Sequence, residues 1–216
     1  MKVLVVAKAP VAGQVKTRLG AVIGAEAAAR LAAAALLDTI EACRAAGAEG
    51  HLSLAGDLRD AVRGAAITAA LDGWTVSPQR GDGFAERLVR AHADAGPGPV
   101  VQIGMDTPHV TAAALAAVAG GLVDHDAVLA PAADGGWWAL ARRDPADVRH
   151  VAQVEMSTAD TCADTRAALE RAGCRVGDAR VMTDVDTVED ADLVAALAPH
   201  TRFARAWRGA RPGGES

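Results

Sequence analysis

A three-layer α/β domain with a mostly parallel sheet is the fold that this sequence predicts. Short apolar runs alternate with helix-forming stretches from the first residues onward, the order expected when strands and helices form successive layers. The runs are rich in Val, Leu, Ile and Ala without strict alternation, as in strands covered on both faces. At 216 residues and 51% hydrophobic composition, the chain suits one core at the upper end of the usual domain size.

Lys2 to Ala7 opens the chain as a Val-rich buried strand, followed by a loop carrying Pro10 and Gly13. Ala25 to Ala46 is dominated by strong helix formers and stops at Gly47, so it reads as a long helix. Further strands are expected at Gly50–Ala55, Trp74–Ser77, Pro99–Ile103 and Ala127–Ala130, with helices at Leu58–Ala65, Gly83–Ala95 and Thr111–Leu122. Beyond Trp138 the pattern loosens to a helix near Ala159–Ala172, a strand near Arg180–Met182 and a helix near Val188–Leu197. Residues 1–200 are thus expected to form one domain. The Arg-, Gly- and Pro-rich residues 201–216 are expected to be a flexible tail.

A formal net charge of -5 argues against a general nucleic-acid binder, which needs a basic surface. Cys43, Cys162 and Cys174 are odd in number and far apart, which indicates neither a disulfide framework nor a zinc site. No leader-like segment or membrane span is read from the N-terminus or from the Ala-rich run, which carries Glu26 and Arg30. A cytoplasmic location is therefore expected. The Ala25–Leu37 stretch could cover the sheet or pack on a second subunit, leaving a homodimer open.

Ligands of open α/β sheets bind beyond the carboxyl ends of strands. The chain's only lysines are Lys2, Lys8 and Lys16, and the latter two stand with Arg18 in the loop after the first strand. Ammonium and guanidinium groups there suit a phosphate chain, and the backbone around Gly13 could form an anion nest. The same cations could simply be solvated. The loop is neither a Walker A motif nor a Gly-x-Gly-x-x-Gly motif.

Val100-Val-Gln-Ile-Gly-Met-Asp-Thr-Pro108 sets Asp106 just past a strand, behind Gly104. It could bind a divalent cation or merely make a turn. Asp134-Gly-Gly-Trp-Trp138 holds two of the four tryptophans. Its glycines could let a ligand approach closely, and one indole could wall a pocket while the other joins the core. Asp184 and Asp186 would share one face of an extended segment and reach one cation; alternatively Asp186 or Thr187 caps the next helix. Around Gln79 to Leu88, Gly81 and Gly83 could touch a base or ribose, while Glu86 and Arg87 read as solvated helix face. Ser157 with Asp160 resembles a helix-capping pair, so Ser157 and Thr158 read as caps first and substrate ligands second. The histidines lack metal-ligand spacing, and His109 reads as a loop residue.

Four ordered motifs, Lys8-x-Pro10-x-x-Gly13-x-x-Lys16-Thr-Arg18-Leu19, Gly104-x-Asp106-x-Pro108, Pro131-Ala-x-Asp134-Gly135-Gly136 and Asp184-x-Asp186-Thr-x-Glu-Asp190, run through nearly the whole chain. Together they resemble the bacterial GT-A-like glycosyltransferase family of selenodomain-associated type, which has the nucleotide-diphospho-sugar transferase fold. More remotely the chain is similar to 2-phospholactate and molybdopterin guanylyltransferases. The resemblance implies a transferase using Mg²⁺ or Mn²⁺ and a nucleotide sugar, with nucleotidyl transfer from a nucleoside triphosphate as the alternative. A non-catalytic nucleotide-binding module is a third possibility.

On this reading Lys16, Arg18, Asp106 and Asp134 are catalytic, and Asp106, Asp184 and Asp186 hold the metal. The donor meets Ala7, Lys8, Pro10, Gly13, Lys16 and Arg18 from the first loop. Gln79, Gly83, Gly104, Asp106, Gly135, Gly136 and Trp137 complete its site. Trp137-Trp138 stands where the family usually has Tyr, which puts the acceptor in doubt.

Overall fold

A computed structural model describes residues 1–211. Seven strands, β1 (Lys2–Lys8), β2 (Glu49–Ala55), β3 (Thr75–Pro78), β4 (Val100–Gly104), β5 (Ala127–Pro131), β6 (Trp137–Arg142) and β7 (Val176–Asp178), form one sheet. Their order is β3-β2-β1-β4-β6-β5-β7. All pairings are parallel except those of β6 with β4 and β5. The expected mostly parallel three-layer fold is present.

The alternation of β1 assigns the layers. Val3, Val5 and Ala7 face a core built with α2 (Ala25–Ala45), α3 (Gly64–Ala70) and α5 (Ala112–Gly121). Leu4 and Val6 face α4 (Phe84–Asp94), and the neighbouring patch packs on a 3-10 segment (Pro145–Gln153) and α6 (Thr161–Arg171). Successive side chains of a strand point to opposite faces, so covering both faces removes the polar alternation. The order of strands reverses at β1, with β2 and β3 added on one side and β4 on the other. That switch point opens a crevice at the strand ends.

Several elements differ from expectation. A short helix, α1 (Thr17–Ile23), follows the cationic loop. Residues 58–63 are turns and the helix starts only at Gly64. Asp57 holds them by accepting from Arg59 N at 2.8 Å, and Arg63 is left-handed with φ 58°. β6 was not anticipated because, buried on both faces, Trp138-Ala-Leu-Ala-Arg142 shows no alternation. The strand expected at Arg180–Met182 reduces to one bridge between Ala132 and Met182, and β7 lies earlier.

The expected flexible tail is corrected for residues 201–211. Thr201 caps α8 (Arg202–Arg208), accepting from Ala204 N at 3.1 Å. Phe203 and Trp207, one turn apart, are buried against Leu19, Leu31, Ala35 and α7 (Val188–Leu197). Asp38 of α2 accepts from Phe203 N at 2.8 Å and from Arg202 N at 3.1 Å. Composition hid this helix because two aromatics sit among arginines. The rest of the tail call, 212–216, lies outside the described residues. Between the sheet and α8, every residue from Leu31 to Ile40 is buried, so this part of the Ala-rich helix packs within the chain.

Candidate active site

At the switch point the ends of β1, β4, β5 and β6 open into a cleft of about 700 Å³. One wall is the loop before α1. Lys16 is the residue before that helix, in a left-handed conformation (φ 47°, ψ 44°), which turns its side chain inward. Its ammonium lies 2.6 Å from Asp106 Oδ1 and 3.2 Å from Asp186 Oδ1, and it also donates to the Val185 carbonyl. Burial works to lower its pKa, but the charges of Asp106 and Asp186 outweigh burial and the net shift is upward. Lys16 is therefore a fixed cation. Arg18 is exposed, with Nη1 3.6 Å from Asp186 Oδ2, and Lys8 is exposed at the end of β1.

The floor is acidic. Val185 N donates to the Asp106 carbonyl at 2.9 Å, which lays the 184–186 segment beside the end of β4. Thr187, not Asp186, caps α7: it accepts from Asp190 N at 3.2 Å, and Asp190 accepts from Thr187 N at 2.9 Å. Asp186 is thereby left for Lys16 and Arg18. Asp184 has a buried oxygen, Oδ1, with no hydrogen-bond partner. Burial first, then the charges of Asp134 and Asp106, push its carboxyl up to about 7, with Lys16 opposing.

Among the described residues no three His, Cys, Asp or Glu side chains form a ready metal cage. Still, a divalent cation fits the donor set. Asp184 carries an orphaned oxygen and is crowded by three further carboxylates, Asp134, Asp106 and Asp186, and hard cations take oxygen ligands. Asp106 and Asp186 share the Lys16 ammonium, and Asp186 also faces Arg18.

Of the expected donor residues, Ala7, Lys8, Lys16, Arg18, Gln79, Gly104, Asp106, Gly136 and Trp137 line the cleft, as do Asp134, Asp184 and Asp186. Pro10, Gly13 and Gly135 are not among its lining, and Gly83 borders an adjoining hollow. Gly135 is needed for packing: its φ is 92° and a Cβ would lie 2.0 Å from the Ala159 carbonyl oxygen. Gln79 ties strands together, its amide donating to the Ala7 and Ser53 carbonyls at 3.0 Å each. Trp138 is core and donates to the Arg180 carbonyl at 2.9 Å, whereas Trp137 faces the cleft and donates to Thr165 Oγ1 at 3.2 Å.

The Ser157–Asp160 cap is not formed. Thr158 Oγ1 accepts from Asp160 N at 3.3 Å, and Ser157 is left-handed with φ 67°. Phe84, Arg87, Gln102 and Met156 also line the cleft and were not anticipated there, and Ser157 and Thr158 line it as well. The spacing of Phe84 and Arg87, on one helix face just after a Gly-rich loop, was the available signal.

The family described as an uncharacterized protein conserved in bacteria (DUF2064) matches residues 36–158. The chain belongs to that family. The DUF2064 match includes Asp106, Asp134 and Trp137 but neither the cationic loop nor the 184–186 segment. No curated protein matches the DUF2064 chain.

Among solved structures it is similar to a Desulfovibrio desulfuricans G20 protein described as a proposed nucleotide-diphospho-sugar transferase. The identity is 25% and the TM-score 0.81, over 97% of this chain and 95% of that one. A nucleotidyl transferase from Methanothermobacter shares the fold at 15% identity and TM-score 0.58, over 94% and 98% of the two chains. So does a manganese complex of Rv0371c from Mycobacterium tuberculosis H37Rv, at 21% and 0.53, over 90% and 98%. The DUF2064 chain thus has the nucleotide-diphospho-sugar transferase fold. Among the described residues no helix is long and apolar enough to cross a membrane.

Proposed function

We propose that this chain is a metal-assisted transferase that takes a sugar from a nucleotide sugar and passes it to a small acceptor. The observation that carries the reading is one cleft in which the exposed cations Lys8 and Arg18 face the carboxylates Asp106, Asp134 and Asp184. Such a pairing suits a diphosphate whose charge is shared between side-chain cations and a bound ion. The neighbouring structure named as a nucleotide-diphospho-sugar transferase favours it too.

Lys8 and Arg18 hold the donor's phosphates. Lys16 is a positioning residue that fixes Asp106 and Asp186. Asp106 and Asp184, with Asp134 beside them, would hold Mg²⁺ or Mn²⁺, which offsets charge developing on the leaving phosphate. Asp134, exposed and accepting from Gly136 N at 2.9 Å, takes the proton of an acceptor hydroxyl. Holding donor and acceptor in one crevice supplies the positioning term.

A second reading, nucleotidyl transfer from a nucleoside triphosphate with pyrophosphate release, is favoured by the neighbouring structure named as a nucleotidyl transferase. Incubation with nucleotide sugars or nucleoside triphosphates, Mn²⁺ and candidate acceptors separates the two. Sugar transfer predicts release of nucleoside diphosphate without pyrophosphate, and a drop of at least about 100-fold in Asp106→Asn, a loss typical of a removed electrostatic group. Unchanged turnover in that variant would sink the role given to Asp106.

A further inference from the structure

Arg87, on the first turn of α4, lines the cleft. Its Nε is shielded from solvent and has no hydrogen-bond partner. The two acidic residues of its own helix are paired elsewhere. Glu86 accepts from Arg90 at 2.9 and 2.6 Å and from Asp82 N at 2.9 Å, and Asp94 accepts from Arg80 at 2.6 and 2.8 Å. Phe84 holds the guanidinium from one side, its ring centre 5.9 Å away. A shielded guanidinium N–H with no acceptor is costly, and an anion with paired oxygens, such as a carboxylate or phosphate, satisfies it best.

The position of Arg87 decides which substrate it serves. α1 lies on the α2 side of the sheet, where Leu19 packs with Leu31. α4 covers the opposite face through Leu88 on Leu4 and Val6. Cations thus enter the cleft from both faces, with the carboxylates of the strand ends between them. A donor diphosphate engages Arg18 on the α1 side. Arg87 lies on the α4 side, the face to which Lys8 belongs in the alternation of β1, with Phe84, Trp137 and Met156 supplying apolar surface.

We propose that Arg87 binds an anionic group, carboxylate or phosphate, on the acceptor, so that the acceptor is a small acid or phosphate ester whose apolar part rests on Phe84, Trp137 and Met156. This rests on the transferase reading of the cleft. The same anionic chemistry could come from the donor's phosphates, and the two sources are separable by experiment.

Trp137 provides the fluorescence signal. Inorganic phosphate, and separately ADP, GDP, CDP and UDP with Mn²⁺, are titrated into the wild type, R87Q, R87K and R18Q, with far-UV circular dichroism confirming the fold. Phosphate is also titrated in R18Q and in the R18Q/R87Q double variant, where the donor wall is weakened. Loss of one charge-assisted pair predicts that R87Q weakens phosphate binding by at least about tenfold, with R87K between. The Kd of the preferred nucleoside diphosphate should stay within about twofold, since a single unmade contact leaves it unchanged.

Phosphate binding equal in R18Q and the double variant overturns the proposal, and so does wild type that binds no phosphate. Parallel loss of nucleotide and phosphate in R87Q assigns Arg87 to the donor and overturns it as well. If no nucleoside diphosphate binds the wild type, the donor reading fails by itself, while the phosphate titration still decides the role of Arg87.

Discussion

Two buried groups with opposite shifts should offset each other in the stability of the parent protein across mildly acidic pH, and single substitutions should uncover the hidden slopes. His92 is buried, and its pKa is lowered to about 3, by burial first and then by Arg142, with Gln102 opposing. Its ordinary value is 6.5. Between these values the unfolded chain binds a proton that the folded chain refuses. Stability from this group is full above 6.5 and is lost as pH falls toward 3.

Asp184 does the reverse, raised from 3.8 to about 7. The folded chain holds the extra proton, so its contribution is full below 3.8 and is lost as pH rises toward 7. Each slope is about 1.4 kcal/mol per pH unit. From about pH 4.5 to about pH 6 each amounts to roughly 2 kcal/mol, with the Asp184 figure the smaller because water reaches part of that carboxyl.

Urea unfolding at several pH values in this window, with EDTA present, measures both. The stability of Asp184→Asn relative to the parent should rise with pH, and that of His92→Gln should fall. Parallel profiles for parent and Asp184→Asn, or variant differences of the same sign, would refute the assigned environments.

Three further outcomes are expected. Lys16→Met removes the ammonium between Asp106 and Asp186 and should cost about 2 kcal/mol by urea unfolding near neutral pH. That is less than for a fully buried pair because both carboxylates are partly wet; an unchanged midpoint would mean that the bridge carries no weight. Trp207→Ala should cost about 3–5 kcal/mol, as for other large buried aromatics, and a loss under about 1 kcal/mol would show that α8 is not part of the cooperative core. Gly135→Ala forces a Cβ to within 2.0 Å of the Ala159 carbonyl oxygen at φ 92° and should lower Tm by several degrees, roughly what 1–2 kcal/mol does. Gly136→Ala, whose Cβ meets only Asp134 Oδ1 at 3.1 Å, should lower it less.

Much of the molecule was legible in the chain because its signals are local. The Val-rich run of β1, the Ala/Leu pattern of α2 and the acidic residues just beyond strands carry their own meaning, since burial on both faces and helix propensity act within a few residues. What stayed hidden depends on partners far away in sequence. β6 lacks alternation because layers on both sides cover it, and α8 is ordered because Phe203 and Trp207 find α2 and Asp38 some 160 residues earlier. The Asp186 and Thr187 ambiguity was settled by Asp190, which completes the cap and frees Asp186.

By itself the sequence determined the layered fold and a cationic loop set against acidic strand ends. The tertiary structure decided how those charges are spent: Lys16 turned inward to hold Asp106 and Asp186, Asp184 left with an unpaired oxygen, and Arg87 brought from a helix face into the cleft. Charge type is written in the residue, but pairing and desolvation depend on three-dimensional neighbours.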